Sequence, residues 1–402
     1  MSTDAAEAFN PGSDLTANRL GRVFRELYGG ESRIFRAPGR VNLIGEHTDY
    51  NDGFVMPMAI EFATWVAIAP RDDRILKIYS DHFEETVDLA LDELQGRSRN
   101  HWSDYVRGVA ALLESAGHPL TGANLLIHGE VPLGAGLSSS ASVEVAAGLA
   151  LLSLTNSTLP NRDLARLCQR AEHEFVGTRC GIMDQFISVF GRAGHALLLD
   201  CRSLNFELLP IAAGSRVVIC NSMVKHDLAV GEYNRRRADC ETGAKILRRH
   251  RAEIRALRDV QLGDLDRHRQ DLPEIVYRRC RHVVTENDRV VAAGRALYSG
   301  SLDEFGRLMY ESHRSMRDDY EISCREIDLL VDFASTIEGV HGARMTGGGF
   351  GGCTVNLIRA ETAVHFQERI IEAYRKATGI TPNLYVCSPA QGAGEVAGTV
   401  ME

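Results

Sequence analysis

The sequence predicts a mixed α+β fold divided into two domains. Strand-like segments and helical stripes alternate irregularly along the chain, and 402 residues exceed what one ordinary hydrophobic core holds. With 44% hydrophobic and 25% charged residues, the composition is that of a soluble globular protein.

Each element has a local reason. Leu15, Leu20, Val23, Phe24 and Leu27 recur at helical spacing and stop at Gly29-Gly30, a C-cap signal. Thr64 to Ala69 and Ile75 to Tyr79 read as strands joined by the turn-rich Pro70-Arg71-Asp72-Asp73, and Leu125 to His128 is a further short strand. Leu164, Leu167, Cys168, Ala171 and Phe175 form an apolar helical stripe, started by Pro160-Asn161 and stopped near Gly177. His195 to Asp200 and Leu204 to Leu209 read as a hairpin, and Arg216 to Cys220 as a buried strand. Helices dominate from Tyr233 to about residue 337, before strands return at Thr354 to Leu357 and Asn383 to Cys387. The domain change is expected at Ala212-Ala213-Gly214, dividing the chain into 1–212 and 213–402. No internal repeat or low-complexity tract occurs.

Charge and cysteine content exclude several functions. A net charge of −9 argues against nucleic acid, whose binding needs a basic footprint. The locally basic run Arg235 to Arg258 carries Leu247, Ile254 and Leu257 at helical spacing and reads as a solvated helix face. Nine cysteines without CxxC pairs imply reduced thiols and a cytoplasmic protein. Residues 1 to 14 have no apolar core of a secretory signal. Val143 to Leu154 contains Glu144 and is too short to span a bilayer, so no membrane partner is expected.

Four segments carry chemistry. Ala37 to Asn51 packs Arg40, Glu46, His47, Thr48 and Asp49 around glycine and proline turns, with the apolar run Val41 to Ile44 as a stiff support. A carboxylate accepts two hydroxyls at once, which suits a small polyhydroxylated ligand; a polar surface loop is the alternative. Val131 to Ser142 places Gly134, Ala135, Gly136, Leu137, Ser138, Ser139 and Ser140 between a strand and a helix. There backbone N–H groups and the helix dipole favour an anion, or the serines simply cap the helix. Met345 to Cys353 holds five glycines in six positions, permitting close backbone approach to a ligand or forming a structural turn. In Gly181-Ile182-Met183-Asp184-Gln185-Phe186, apolar flanks suggest a partly buried Asp184, either a base or a helix N-cap.

Together these strings resemble the galactokinases, within the GHMP family of small-molecule kinases. The resemblance runs from Arg36 to Cys353 through five blocks in order, including His226 to Tyr233. It implies an N-terminal ribosomal-protein-like α/β domain, a C-terminal ferredoxin-like domain and an active site in the cleft between them. It also implies ATP-dependent phosphorylation of α-D-galactose at the C1 hydroxyl, the first committed step of galactose catabolism. By resemblance Asp184 is the catalytic aspartate and Arg40 stabilises the transferring phosphoryl group. Glu46, His47, Thr48, Asp49, Gly181, Asp184 and Tyr233 would bind the sugar, and the Gly134 to Ser140 loop the ATP. Ser140 and Glu172 would bind Mg2+; a solvent-facing helix residue is the lesser alternative for Glu172. A monomer or weak homodimer is expected. Departures are minor: Thr178-Arg179 is a variable stretch, and Arg325 stands where many relatives have proline. A kinase for N-acetylgalactosamine, or a galactose- and ATP-sensing regulator without turnover, remain the alternatives. Silent relatives lack part of the serine-alanine segment, whereas Ser140-Ala141 is present here.

Overall fold

A computed structural model describes residues 11–96, 98–225 and 229–396. The first ten residues and His226-Asp227-Leu228 therefore lie outside the described residues. The strands are β1 (Arg33–Asn42), β2 (Phe54–Val55), β3 (Pro57–Pro70), β4 (Ile75–Ser80), β5 (Glu85–Ala90), β6 (Ala123–Gly129) and β7 (His195–Asp200). They continue as β8 (Phe206–Pro210), β9 (Ser215–Lys225), β10 (Val340–Thr346), β11 (Gly351–Arg359), β12 (Asn383–Cys387) and β13 (Gly394–Val396). The helices begin with α1 (Pro11–Tyr28), α2 (Asp104–Ser115), α3 (Ser139–Leu152), α4 (Asn161–Ala171) and α5 (Met183–Phe190). After them come α6 (Ala229–Leu247), α7 (Leu262–Arg267), α8 (Glu274–Tyr298), α9 (Leu302–Ser315), α10 (Arg325–Ser335) and α11 (Ala363–Thr378).

A six-stranded sheet runs in the order β13-β1-β3-β6-β4-β5, and a three-stranded ribbon in the order β2-β7-β8. Helix α3 packs on β1 and β3, flanked by α2, α4 and α5. Its sequence is apolar on nearly every face, the pattern of a helix buried all round, and this carries Glu144 into the core. The four-stranded sheet, β10-β11-β9-β12, is packed by α10 and α11. Val41, Leu43 and Ile44 lie beneath the first polar segment, in one cluster with Val290 and Ala293 of α8 and Val355 and Leu357 of β11. Each is almost fully buried, worth about 1.5–3 kcal/mol, so the segment rests on a rigid floor.

The expected helix over Leu15 to Leu27 forms as α1, and the expected hairpin forms as β7 and β8. The strand expected at Thr64 to Ala69 is longer, because Pro57 to Ala63 continue its pairing with β1. Strand β6 inserts between β3 and β4. The stripe from Leu164 to Phe175 is interrupted: α4 ends at Ala171 and one π-helical turn, Glu172–Val176, follows before Gly177 closes it in the left-handed region. The basic run is not wholly solvated. Arg236 is buried, donating to the Tyr320 and Glu321 carbonyls and to Glu232. Helical carbonyls that end a turn need donors, and a guanidinium supplies several.

Candidate active site

Strand β1 delivers the first polar segment to a cleft. Its register against β3 shifts between Pro38 and Arg40, a bulge that re-aims the strand's last residues. A Cβ on Gly39 would lie 2.7 Å from the Leu137 carbonyl oxygen. Glycine therefore permits the close approach in which the Arg40 N–H donates to that carbonyl at 3.0 Å. Past Asn42 the chain turns through Gly45 (φ 100°) and His47 (φ 61°). Helix α8 is the bed for this turn. Glu286 accepts from the Gly45 and Glu46 N–H groups at 2.9 and 3.3 Å, and His282 Nε2 donates to the Glu46 carbonyl at 3.1 Å.

Arg40 joins three elements. Its Nε and Nη2 donate to Asp184 Oδ1 and Oδ2, both at 2.8 Å, and Nη1 donates to the Gly136 carbonyl at 2.5 Å. Such bidentate, charge-assisted pairs fix both partners in one plane. Asp184 is the second residue of α5, so it is not the N-cap, which is Ile182. The Ser138 hydroxyl also donates to Asp184 Oδ2, at 2.5 Å.

Opposite this pair lie groups suited to hydroxyls. The Asp49 carboxylate rests against Gly181, where a Cβ would fall 1.9 Å from Asp49 Oδ2. Burial raises its pKa to about 6, and the negative charge of Asp184 adds to that rise. His47 is held neutral, its pKa lowered to about 3 by burial and then by nearby His282. Its Nδ1 bonds the Tyr50 hydroxyl at 2.6 Å, and the buried ring also interacts with the Gly348 backbone. The Tyr233 ring, from α6, stands 5.2 Å from the imidazole. Glu46 is already engaged, accepting from Asn42 Nδ2 at 2.5 Å and from the Gly347 N–H at 2.6 Å, with Arg344 Nη2 at 3.5 Å. It ties the first segment to the third glycine loop.

A third corner gathers carboxylates. Glu172 opens the π-helical turn, and π-turns recur at functional sites. The Gln185 amide donates to Glu172 Oε2 at 2.9 Å and to Glu144 Oε2 at 3.0 Å. Burial, then the charge of Asp184, raises the Glu172 pKa to about 7, and burial raises that of Glu144 well above the usual carboxylate range. Ser140 hydrogen-bonds the Glu172 carboxylate. Glu172, which lines the cleft with Ser140 and Asp184, offers oxygen ligands of the kind a hard divalent cation takes.

One cleft of about 270 Å³ is lined by Arg40, Glu46, His47, Asp49, Glu172, Gly181, Asp184 and Tyr233 together with Gly134 and Gly136 to Ser140. Thr48 and Ala135 do not line it. Thr48 is buried and donates to the Phe54 carbonyl at 2.6 Å, closing the turn, and Ala135 packs in the cluster beneath. The sequence reading missed Glu144, Gln185, His282, Glu286 and Arg344. Signals existed for some of them. Glu144 is the lone charge in α3, and His282 and Glu286 are one helical turn apart.

Residues 22–70 match the galactokinase galactose-binding signature, 104–192 the GHMP kinases N terminal domain and 295–376 the GHMP kinases C terminal domain. A galactokinase of Chloroflexus aggregans is 51% identical over 369 residues, covering 91% of this chain and 95% of its own. One from Roseiflexus is 46% identical over 383 residues, covering 95% and 98%. The structure superimposes on Lactococcus lactis galactokinase complexed with galactose with a TM-score of 0.91 at 35% identity, covering 95% of this chain and all of that one.

Proposed function

The chain belongs to the galactokinase family, and we infer that it transfers the γ-phosphoryl group of ATP to the C1 hydroxyl of α-D-galactose, giving galactose 1-phosphate and ADP. The observation that carries the reading is the Arg40–Asp184 pair, lining one cleft with the glycine loop and with Asp49 and His47. The sugar's hydroxyls would meet Asp49, Tyr233 and His47, all of which line the cleft. The C1 oxygen attacks the γ-phosphorus, the bond to the bridging β–γ oxygen breaks with its electron pair leaving on ADP, and Asp184 takes the C1 hydroxyl proton. Arg40 offsets the charge growing on the phosphoryl oxygens. Phosphoryl transfer depends mainly on such positioning and charge stabilisation. Orientation of the two reactants alone is worth up to about 7–11 kcal/mol.

Ser140 and Glu172 would hold Mg2+, which supplies charge neutralisation for the phosphates when bound; their hydrogen-bonded oxygens, side by side in the cleft, support that assignment. The backbone of the Gly134 to Ser140 loop would cradle the triphosphate at the N-terminus of α3. The matched N-terminal and C-terminal family regions lie on either side of residue 212, in keeping with a change of domain between them, while β13 crosses back to the first sheet. None of the nine cysteines forms a disulfide, consistent with the cytoplasm. Among the described residues no helix is long and apolar enough to cross a membrane.

The test is ADP release, coupled to a readout, with galactose, N-acetylgalactosamine, arabinose and glucose. Galactose is expected to give the highest kcat/KM. A preference for N-acetylgalactosamine would reassign the substrate, and no turnover with any sugar would favour a sensor.

A further inference from the structure

Ser138 belongs by sequence to the loop expected to cradle phosphate, yet its hydroxyl is engaged elsewhere. It precedes α3 in the N-cap position, where a serine side chain ordinarily accepts from a backbone N–H two or three residues on. No such capping bond exists here. The backbone instead adopts φ 60° and ψ 47°, in the left-handed region that L-residues other than glycine rarely enter, and the buried hydroxyl donates to Asp184 Oδ2 at 2.5 Å. Strain of this kind persists where surrounding contacts hold it and clusters at functional sites.

The acceptor capacity of Asp184 gives this bond its meaning. A carboxylate offers about four lone-pair sites, two on each oxygen. Arg40 Nε takes one on Oδ1, and Arg40 Nη2 takes one on Oδ2. Ser138 takes the second on Oδ2. One position remains, and it lies on Oδ1.

We propose that Ser138 is a positioning residue for phosphoryl transfer, its hydroxyl occupying Oδ2 of Asp184 so that Oδ1 alone receives the proton of the attacking sugar hydroxyl. The proposal rests on the reading of Asp184 as proton acceptor. It separates Ser138 from its loop neighbours: Ser140 faces Glu172, whereas Ser138 acts through the carboxylate on α5. Because the hydroxyl caps nothing, its removal leaves the backbone bonds of α3 in place, including the Ser142 N–H to the Ser138 carbonyl at 3.1 Å. Glycine also enters the left-handed region freely, so Ser138→Gly removes the hydroxyl and the strain together.

The experiment compares Ser138→Gly and Ser138→Ala with the wild type, each also combined with Asp184→Asn. Both single variants are expected to lose about 10- to 100-fold in kcat, the scale of a misoriented reacting group, with KM for galactose and for ATP within about threefold. Ser138→Gly is expected to melt no lower than the wild type. In the Asp184→Asn background, followed with radiolabelled ATP over hours, neither change at Ser138 is expected to lower the residual rate further. A raised KM for ATP with kcat intact would overturn the proposal and assign the hydroxyl to the nucleotide. An unchanged kcat, or an additive loss in the double variants, would overturn it while leaving Asp184 as the acceptor. Near-normal turnover of Asp184→Asn alone would remove the underlying reading, and the proposal with it.

Discussion

Replacing Glu286 by glutamine tests whether the bed beneath the sugar segment is electrostatic. Glu286 Oε1 accepts from the Gly45 N–H, the Glu46 N–H and the Ser312 hydroxyl, and Oε2 accepts from Arg289 Nε at 2.7 Å. Burial pushes its carboxyl upward, but Arg289, then His282 and Arg344, outweigh burial and bring the pKa down from 4.5 to about 2. A depression of that size corresponds to about 3 kcal/mol of stability at neutral pH. The figure agrees with the roughly 3–5 kcal/mol lost when one partner of a buried ion pair is removed. At about 2 cal/mol/K of unfolding entropy per residue, Glu286→Gln should lower the melting temperature by about 3–4 °C. Because the folded pKa lies below the unfolded one, this stabilisation is present above about pH 4.5 and is lost as pH falls towards about 2. The assay is calorimetry of both proteins at pH 7 and at pH 3, where the gap should narrow. The KM for galactose should rise with the loosened Gly45–Glu46 backbone. A pH-independent shift below about 1 °C, with galactose KM unchanged, would refute the electrostatic account.

Two further outcomes follow from the sugar side of the cleft. Gly181→Ala forces a Cβ into the Asp49 carboxylate, so galactose affinity should fall by at least about 1–3 kcal/mol while ATP affinity holds, as calorimetry with each ligand alone would read. Asp49, its pKa raised to about 6 by burial and by the charge of Asp184, takes up a proton as pH drops from 7 to 5. Galactose affinity should therefore weaken across that interval in the wild type and stay flat in Asp49→Asn, and identical profiles for the two proteins would contradict the assignment.

Much of the cleft was legible because its parts are local. Arg40 to Asp49 and Gly134 to Ser140 are each short strings whose turns and polar groups follow from neighbouring residues. What could not be read is what one string does to another. Nothing near Ser138 indicates that its hydroxyl would face Asp184, 46 residues on. Nothing in Glu46 indicates that its carboxylate would be met by Gly347, 301 residues away. The same limit applies to the fold. Strand β13 returns from the end of the described chain to pair with β1, where Arg36 faces Gly394, and its three residues carry no pattern of their own. Strand β5, exposed at one sheet edge, alternates too weakly to stand out, whereas α1 and α4, with clear apolar stripes, were evident. The basic run misled in one position, because helical periodicity gives the face of Arg236 but not the carbonyls waiting there.

The central claim is that Asp184, held by Arg40, takes the proton of the sugar's C1 hydroxyl. The most direct measurement is steady-state turnover of Asp184→Asn with galactose and ATP, alongside galactose binding by calorimetry. The amide keeps the shape but cannot accept the proton, so kcat should fall by about 10²- to 10⁴-fold or more while galactose affinity stays within a few-fold. Turnover close to that of the wild type, with galactose still bound, would contradict the account.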